Sequence, residues 1–147
     1  MPFTNYALSA IMVRVLGSTA LTPPATYYVG LSSTTPTQVA TSTWNVTEPS
    51  IGVNAYARVA VTNNTTNFGP ISVEPSAGYT IQNLTAITFT ASTGAWGSGA
   101  TYTNGLLWDA SSGGNLWAYG LLTPSVVVNA SGYQPSFAIG QFVVTWT

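Results

Sequence analysis

After Pro23-Pro24 the chain becomes a series of short strand-like segments, each cut off by turn residues before it can lengthen. Residues 26–31, 56–62, 85–89, 102–108, 116–121, 126–128 and 141–146 are rich in β-branched and aromatic side chains, which suit a pleated, half-buried surface. Ser, Thr, Asn, Gly and Pro stand between them, the residues that turns select. Segments this short and this evenly spaced predict a mainly β chain, an antiparallel β-sandwich or barrel-like domain. Residues 102–108 and 116–121 flank a Gly/Ser-rich stretch from Asp109 to Gly114 and read as a hairpin with a longer loop.

Ahead of this β region the pattern is helical. Tyr6, Leu8, Ile11, Met12, Val15 and Leu16 recur at three- and four-residue spacing, and Thr4 or Asn5 can cap the start. Gly17 stands where a left-handed C-cap is favoured, and Arg14 lies near the end that the macrodipole makes negative. Most of the circumference is apolar, so this one short N-terminal α-helix is expected to pack on both the body and a neighbour. The candidate interface is Phe3, Tyr6, Leu8, Ile11, Met12 and Val15. A single domain over 1–147 is expected, with a helical arm at 1–22 and a β-domain at 23–147, since domains run to about 100–150 residues.

Two stretches break the rhythm. Residues 38–54 are polar and without clear period around an isolated Trp44, and residues 69–78 hold Pro70 and Pro75. Both read as long loops, which are uncommon unless they cover or bind something.

Charge then limits what the surface can do. Only Arg14, Arg58, Glu48, Glu74 and Asp109 carry a formal charge, 3% of the chain against about 25% in ordinary soluble domains. Two cations cannot neutralise several phosphates, so neither nucleic acid nor an anionic membrane is an expected partner. A net charge of −1 also removes the repulsion that keeps monomers apart, which points to life inside an assembly. No secretion signal is read at the N-terminus, and the longest apolar runs fall far short of the roughly 20 residues a membrane helix needs. Asn45, Asn64, Asn83 and Asn129 each open an N-glycosylation triplet, read as chance in so Asn- and Thr-rich a chain.

The same scarcity argues against catalysis. Glu48 and Glu74 each precede a proline and read as solvated loop carboxylates, while Asp109 opens a turn whose amides it can bind. With no His, Cys or Lys there is no base for a Ser or Thr nucleophile and no zinc set. No enzyme, cofactor or metal is expected. Arg58, read as mid-strand, is expected to pair with an acid or fork onto backbone carbonyls. Trp44, Tyr79, Trp96 and Tyr133 are the loop aromatics that could stack on a sugar.

Phe3-Thr4-Asn5-Tyr6, residues 24–31, Ala55-Tyr56-Ala57-Arg58-Val59, Val61-Thr62-Asn63, Ile87-Thr88-Phe89, Gly94-Ala95-Trp96-Gly97, residues 108–116 and Pro135-Ser136-Phe137-Ala138-Ile139-Gly140 follow one another in an order with a precedent. In that order and spacing, nearly the whole chain resembles a family of small tailed-bacteriophage virion proteins, labelled tail fibre, head fibre or capsid decoration protein. The chain departs from the family in its scarcity of charge and in extra length at 38–54 and 69–78. The resemblance implies a β-structured subunit on the outer surface of the virion, made in the host cytoplasm. Added to the uncharged surface, it leads us to expect a capsid decoration (cement) protein. The expected partners are the major capsid protein and further copies of itself, as a homotrimer or other homo-oligomer. The alternative is a host-recognition module on a tail fibre or baseplate, contacting tail proteins and binding cell-surface glycans.

Overall fold

The computed structural model describes residues 1–17, 20, 22–40, 42–74 and 78–146. Among the described residues, helix α1 (Asn5–Leu16) precedes eleven strands: β1 (Thr26–Ser32), β2 (Thr37–Ala40), β3 (Thr43–Asn45), β4 (Val59–Thr62), β5 (Ser72–Glu74), β6 (Gly78–Gln82), β7 (Ile87–Thr88), β8 (Thr101–Trp108), β9 (Leu116–Val127), β10 (Ser136–Phe137) and β11 (Val143–Trp146). The chain is mainly β with one helix, and every strand pairing is antiparallel, as a sandwich-like domain requires.

The central sheet has the order β4-β1-β8-β9. Val29 in β1 is its hinge of register, opposite Val59 on one side and Leu107 on the other. Smaller sheets, β11-β6-β5, β10-β7 and β2-β3, surround it. One face of the central sheet meets the main core, where Val29, Leu31, Tyr56, Ile87, Phe89, Trp96, Phe142 and Val144 are buried together. On a second side Leu106, Trp108 and Leu116 form a smaller cluster under Trp44, Val46 and Tyr119. A bulge at Trp117, between the pairs Leu107↔Ala118 and Trp108↔Leu116, divides the two. It turns Trp117 and Ala118 both toward the main core and leaves Leu116 in the other cluster.

The helix starts as its sequence suggests. Thr4 is extended, its Oγ1 accepts from the Ala7 N–H at 3.3 Å, and the same hydroxyl donates to the Leu116 carbonyl. The Thr4 N–H donates to the Trp117 carbonyl at 2.7 Å, so the cap also fastens the helix to the start of β9. Its end differs from the expectation. Gly17 is extended (φ −103°, ψ 166°) rather than left-handed, and a Cβ there would lie 2.6 Å from the Val13 carbonyl oxygen. Glycine is selected there by close approach of the backbone, with no positive φ involved.

The two supposed long loops hold strands. Thr37–Ala40 and Thr43–Asn45 pair as β2 and β3, and Trp44 caps the smaller cluster, so the stretch covers part of the sheet. Within 69–78, Ser72–Glu74 pairs with β6, a strand the sequence pattern did not show, while Pro75 lies outside the described residues. Tyr56 to Arg58 precede the strand that begins at Val59, so Arg58 is not mid-strand.

Asn83 ties the β6–β7 loop to the β10–β11 loop. It is fully buried, its Nδ2 donates to the Thr85 and Ala138 carbonyls, and its Oδ1 accepts from the Phe142 N–H, each at 2.9 Å. The asparagine that opens this glycosylation triplet is thus buried in the folded chain.

Candidate functional site

Glu48 and Arg58 are buried against each other, their side chains 10% and 4% exposed. Arg58 Nε donates to Glu48 Oε1 at 2.9 Å and Nη2 donates to Oε2 at 2.7 Å, a two-pronged match of guanidinium to carboxylate. Nη1 donates to the carbonyls of Ala110 and Gly113, both at 2.8 Å, and the guanidinium carbon lies 4.0 Å above the Trp108 ring. The expectation of an acid or of backbone carbonyls is met on both counts by one side chain.

Glu48 is thus not a solvated loop carboxylate. Its Oε1 also accepts from the Tyr56 hydroxyl at 2.7 Å, and that hydroxyl in turn accepts from the Leu31 N–H at 3.1 Å. Burial first, then the charge of Glu48 and the hydrogen bond to it, push the Tyr56 phenol far above its usual range. Both carboxylate oxygens are engaged, so the group has no spare lone pair directed at a substrate.

Asp109 closes the β8–β9 turn. It accepts from the Asn115 N–H at 2.7 Å, from Asn115 Nδ2 at 2.9 Å and from Trp117 Nε1 at 3.3 Å. Nearby Tyr27 is pushed up to about 12 by burial and by the charge of Asp109. Glu74 stands in β5 opposite Gly78. Arg14, on α1, is exposed. Among the described residues no three His, Cys, Asp or Glu side chains gather as a metal set would.

The four loop aromatics do not converge. Trp96 is 1% exposed and belongs to the core, packed edge-on to Tyr56 at 4.9 Å between ring centres, with Nε1 donating to the Asn54 carbonyl at 2.9 Å. It corrects the sequence reading: a short 3₁₀ turn at Trp96–Ser98, with Gly97 at φ +52°, drives the indole inward, out of reach of any sugar. Trp44 is half-buried against Tyr119, with ring centres 5.5 Å apart. Tyr79 is exposed beside an apolar groove of about 410 Å³ that Phe3, Ile71, Ile81 and Val144 also line. Tyr133 is exposed at a separate cleft of about 730 Å³, with Gln134, Gln141 and Phe137.

The expected interface residues divide into two groups. Phe3 bridges to Ala118, and Tyr6 packs edge-on to Trp117 at 5.7 Å, so both face the body. Leu8 and Ile11 are half-buried, while Met12 and Val15 are exposed. Sequence reasoning missed the exposed apolar residues of the β5–β6 edge, Ile71 and Val73. It missed them because their strand was hidden in a Pro-containing stretch. The surface is therefore apolar and hydrogen-bonding with few free charges, a composition that suits contact with another protein surface.

Comparison with known proteins yields one family. Residues 2–145 match the model described as podophage GP4 fiber I protein gp80. No curated protein matches the chain.

Proposed function

Because the chain belongs to the podophage GP4 fiber I protein family, a family of virion-associated structural fibre proteins, we propose that it decorates the outer surface of the phage head. It binds the major capsid protein there through uncharged, apolar-rich contacts. The observation that carries this reading is the withdrawal of charge. Glu48 and Arg58 neutralise each other inside the fold and Asp109 is spent on a turn, while Met12, Val15, Leu16, Ile71, Val73 and Leu121 stand exposed. A protein that binds only the assembled shell stabilises that shell by mass action. Contacts made without ion pairs are also insensitive to salt, because there is little to screen.

The test is made on purified particles. Density for the subunit repeating over the head lattice, and retention through a high-salt wash, support the proposal. A handful of copies confined to the tail, or release in moderate salt, would refute it.

One observation favours the alternative, recognition of a host glycan from a tail position. Tyr133 stands exposed at a cleft whose polar neighbours, Gln134, Gln141, Thr123 and Ser136, are all uncharged. Glycan-array binding that Tyr133→Ala abolishes, together with tail density, would establish that reading instead.

A further inference from the structure

Two adjoining hollows lie where the central sheet meets the β11-β6-β5 sheet. The larger is the apolar groove of about 410 Å³ beside Tyr79. The smaller, of about 160 Å³, shares Phe3, Ile81 and Val144 with it and is completed by Tyr27, Asn63, Phe68 and Leu107. Strand geometry explains the lining. Val144 lies opposite Ile81, and Tyr79 stands two residues before Ile81, so the three side chains share one face of the sheet. Val144 belongs to the core, while Tyr79 and Ile71 are 57% and 68% exposed. The two hollows thus form a furrow that leads outward from the core. The larger one alone falls within the roughly 300–1,000 Å³ of pockets that bury a small ligand.

What the walls lack limits the occupant. Among the described residues, no charged side chain lines either hollow. A peptide would bring an N–H and a C=O with every residue, and each one left unpaired in apolar surroundings costs free energy. The bordering strand is a poor edge for pairing with them. β5 has three residues, ends at Glu74 and stands between Pro70 and Pro75 in the sequence, all features that blunt an edge. An alkyl chain carries no such groups and needs no partners. At the other end of the furrow stand two uncharged hydrogen-bonding side chains. The Tyr27 hydroxyl makes no hydrogen bond among the described residues, and Asn63 donates from Nδ2 to the Pro24 carbonyl at 3.0 Å and keeps its Oδ1. The charge of Asp109 reaches Tyr27 and raises its phenol, so an anionic head is disfavoured at that end.

We propose that this furrow binds the alkyl chain of a free, single-chain amphiphile with an uncharged head, and that Tyr27 and Asn63 hold the head. A free molecule is selected over a bilayer because no basic side chain lines the furrow to hold it against a lipid surface. Binding of this kind goes beyond the decoration of the head and does not rest on it.

The test is made on the isolated chain by titration calorimetry. Dodecanol is expected to bind saturably, one molecule per chain. From octanol to dodecanol, each added methylene should tighten binding about fourfold, the equivalent of about 0.8 kcal/mol. Dodecanoate at neutral pH should bind about tenfold more weakly than dodecanol, because its charge meets that of Asp109. Ile71→Glu, at an exposed position, should abolish binding without changing the circular dichroism. Tyr27→Phe removes only the hydroxyl and should weaken dodecanol about fivefold. Leu121→Glu, in the separate cleft, should bind like the unmodified chain. The proposal is overturned by the absence of saturable binding, by affinity that does not change with chain length, or by dodecanoate binding as tightly as dodecanol. It is overturned equally if Ile71→Glu or Tyr27→Phe has no effect, or if Leu121→Glu abolishes binding. Flotation of the chain with phosphatidylcholine vesicles would give the furrow to a bilayer instead. Dodecanol binding that is lost on intact particles would give it to an apolar side chain of the capsid protein, and either result also refutes the assignment.

Discussion

Replacing Arg58 by Ala should be among the most damaging changes available to this chain. The guanidinium satisfies Glu48 through two prongs, holds the Ala110 and Gly113 carbonyls, and lies on Trp108. With both side chains at 10% exposure or less, water cannot replace what is lost. Removing one member of a buried pair leaves the other charge uncompensated and costs about 3–5 kcal/mol. Against a total stability of about 5–15 kcal/mol that is a large share. At about 2–4 °C per kcal/mol for a domain of this size, the melting temperature should fall by roughly 6–20 °C. The assay is urea unfolding at neutral pH followed by tryptophan emission. Arg58→Lys should recover little, because one ammonium cannot make the fork and reach the turn together. Glu48→Gln in the Arg58→Ala background should return about 1 kcal/mol or more, since the stranded charge is then gone. A loss below about 1 kcal/mol for Arg58→Ala, the range of an exposed pair, would refute the reasoning. So would the absence of any rescue by Glu48→Gln.

Alkaline pH should destabilise the fold through its buried tyrosines. The native state holds Tyr56 and Tyr27 protonated, Tyr27 up to about 12, whereas an unfolded tyrosine loses its proton near 10. Stability is then full below about pH 10 and falls as pH rises, by about 1.4 kcal/mol per unit for Tyr56 and less for the partly screened Tyr27; urea midpoints that stay flat up to about pH 12 would contradict this. Gly30→Ala puts a Cβ 2.5 Å from Glu48 Oε1 and 3.3 Å from the Tyr56 hydroxyl, so it should cost about 1–3 kcal/mol in the same assay, and a neutral result would mean the carboxylate can move aside. Trp96→Ala empties a fully buried site and should cost about 3–5 kcal/mol, whereas Trp44→Ala should cost less and raise amide exchange selectively in β2 and β3; equal losses from the two would place Trp44 in the main core.

Local chemistry made the helix, its Thr4 cap and the β8–β9 hairpin legible, because each rests on near neighbours in sequence. The β2–β3 hairpin was illegible for a related reason. Its residues are strand-compatible Thr and Val interleaved with polar ones, and only the long-range contact of Trp44 with Leu106, Trp108 and Leu116 makes them a sheet. Strand β6 depends in the same way on its partners β5 and β11. Trp96 looked like a loop aromatic because glycines flank it, yet Gly97 supplies the positive φ that turns the indole into the core. The Glu48–Arg58 pair lies in different irregular segments and closes onto a turn 52 residues further on, a meeting that only the folded topology arranges. Of the candidate interface, periodicity found the outward stripe of α1, but it could not tell that Phe3 and Tyr6 face the body.

The grip of Arg58 on the β8–β9 turn has a mechanical consequence for a virion-associated protein. Pulled outward, the tip of that hairpin would have to draw the Ala110 and Gly113 carbonyls off a cation that Glu48 holds from beneath. Separating those groups in a dry site raises the barrier to unfolding under force, and force resistance follows the unfolding rate rather than the equilibrium stability. The only ion pair seen among the described residues thus acts as a rivet, placed where shear would otherwise start to peel the sheet.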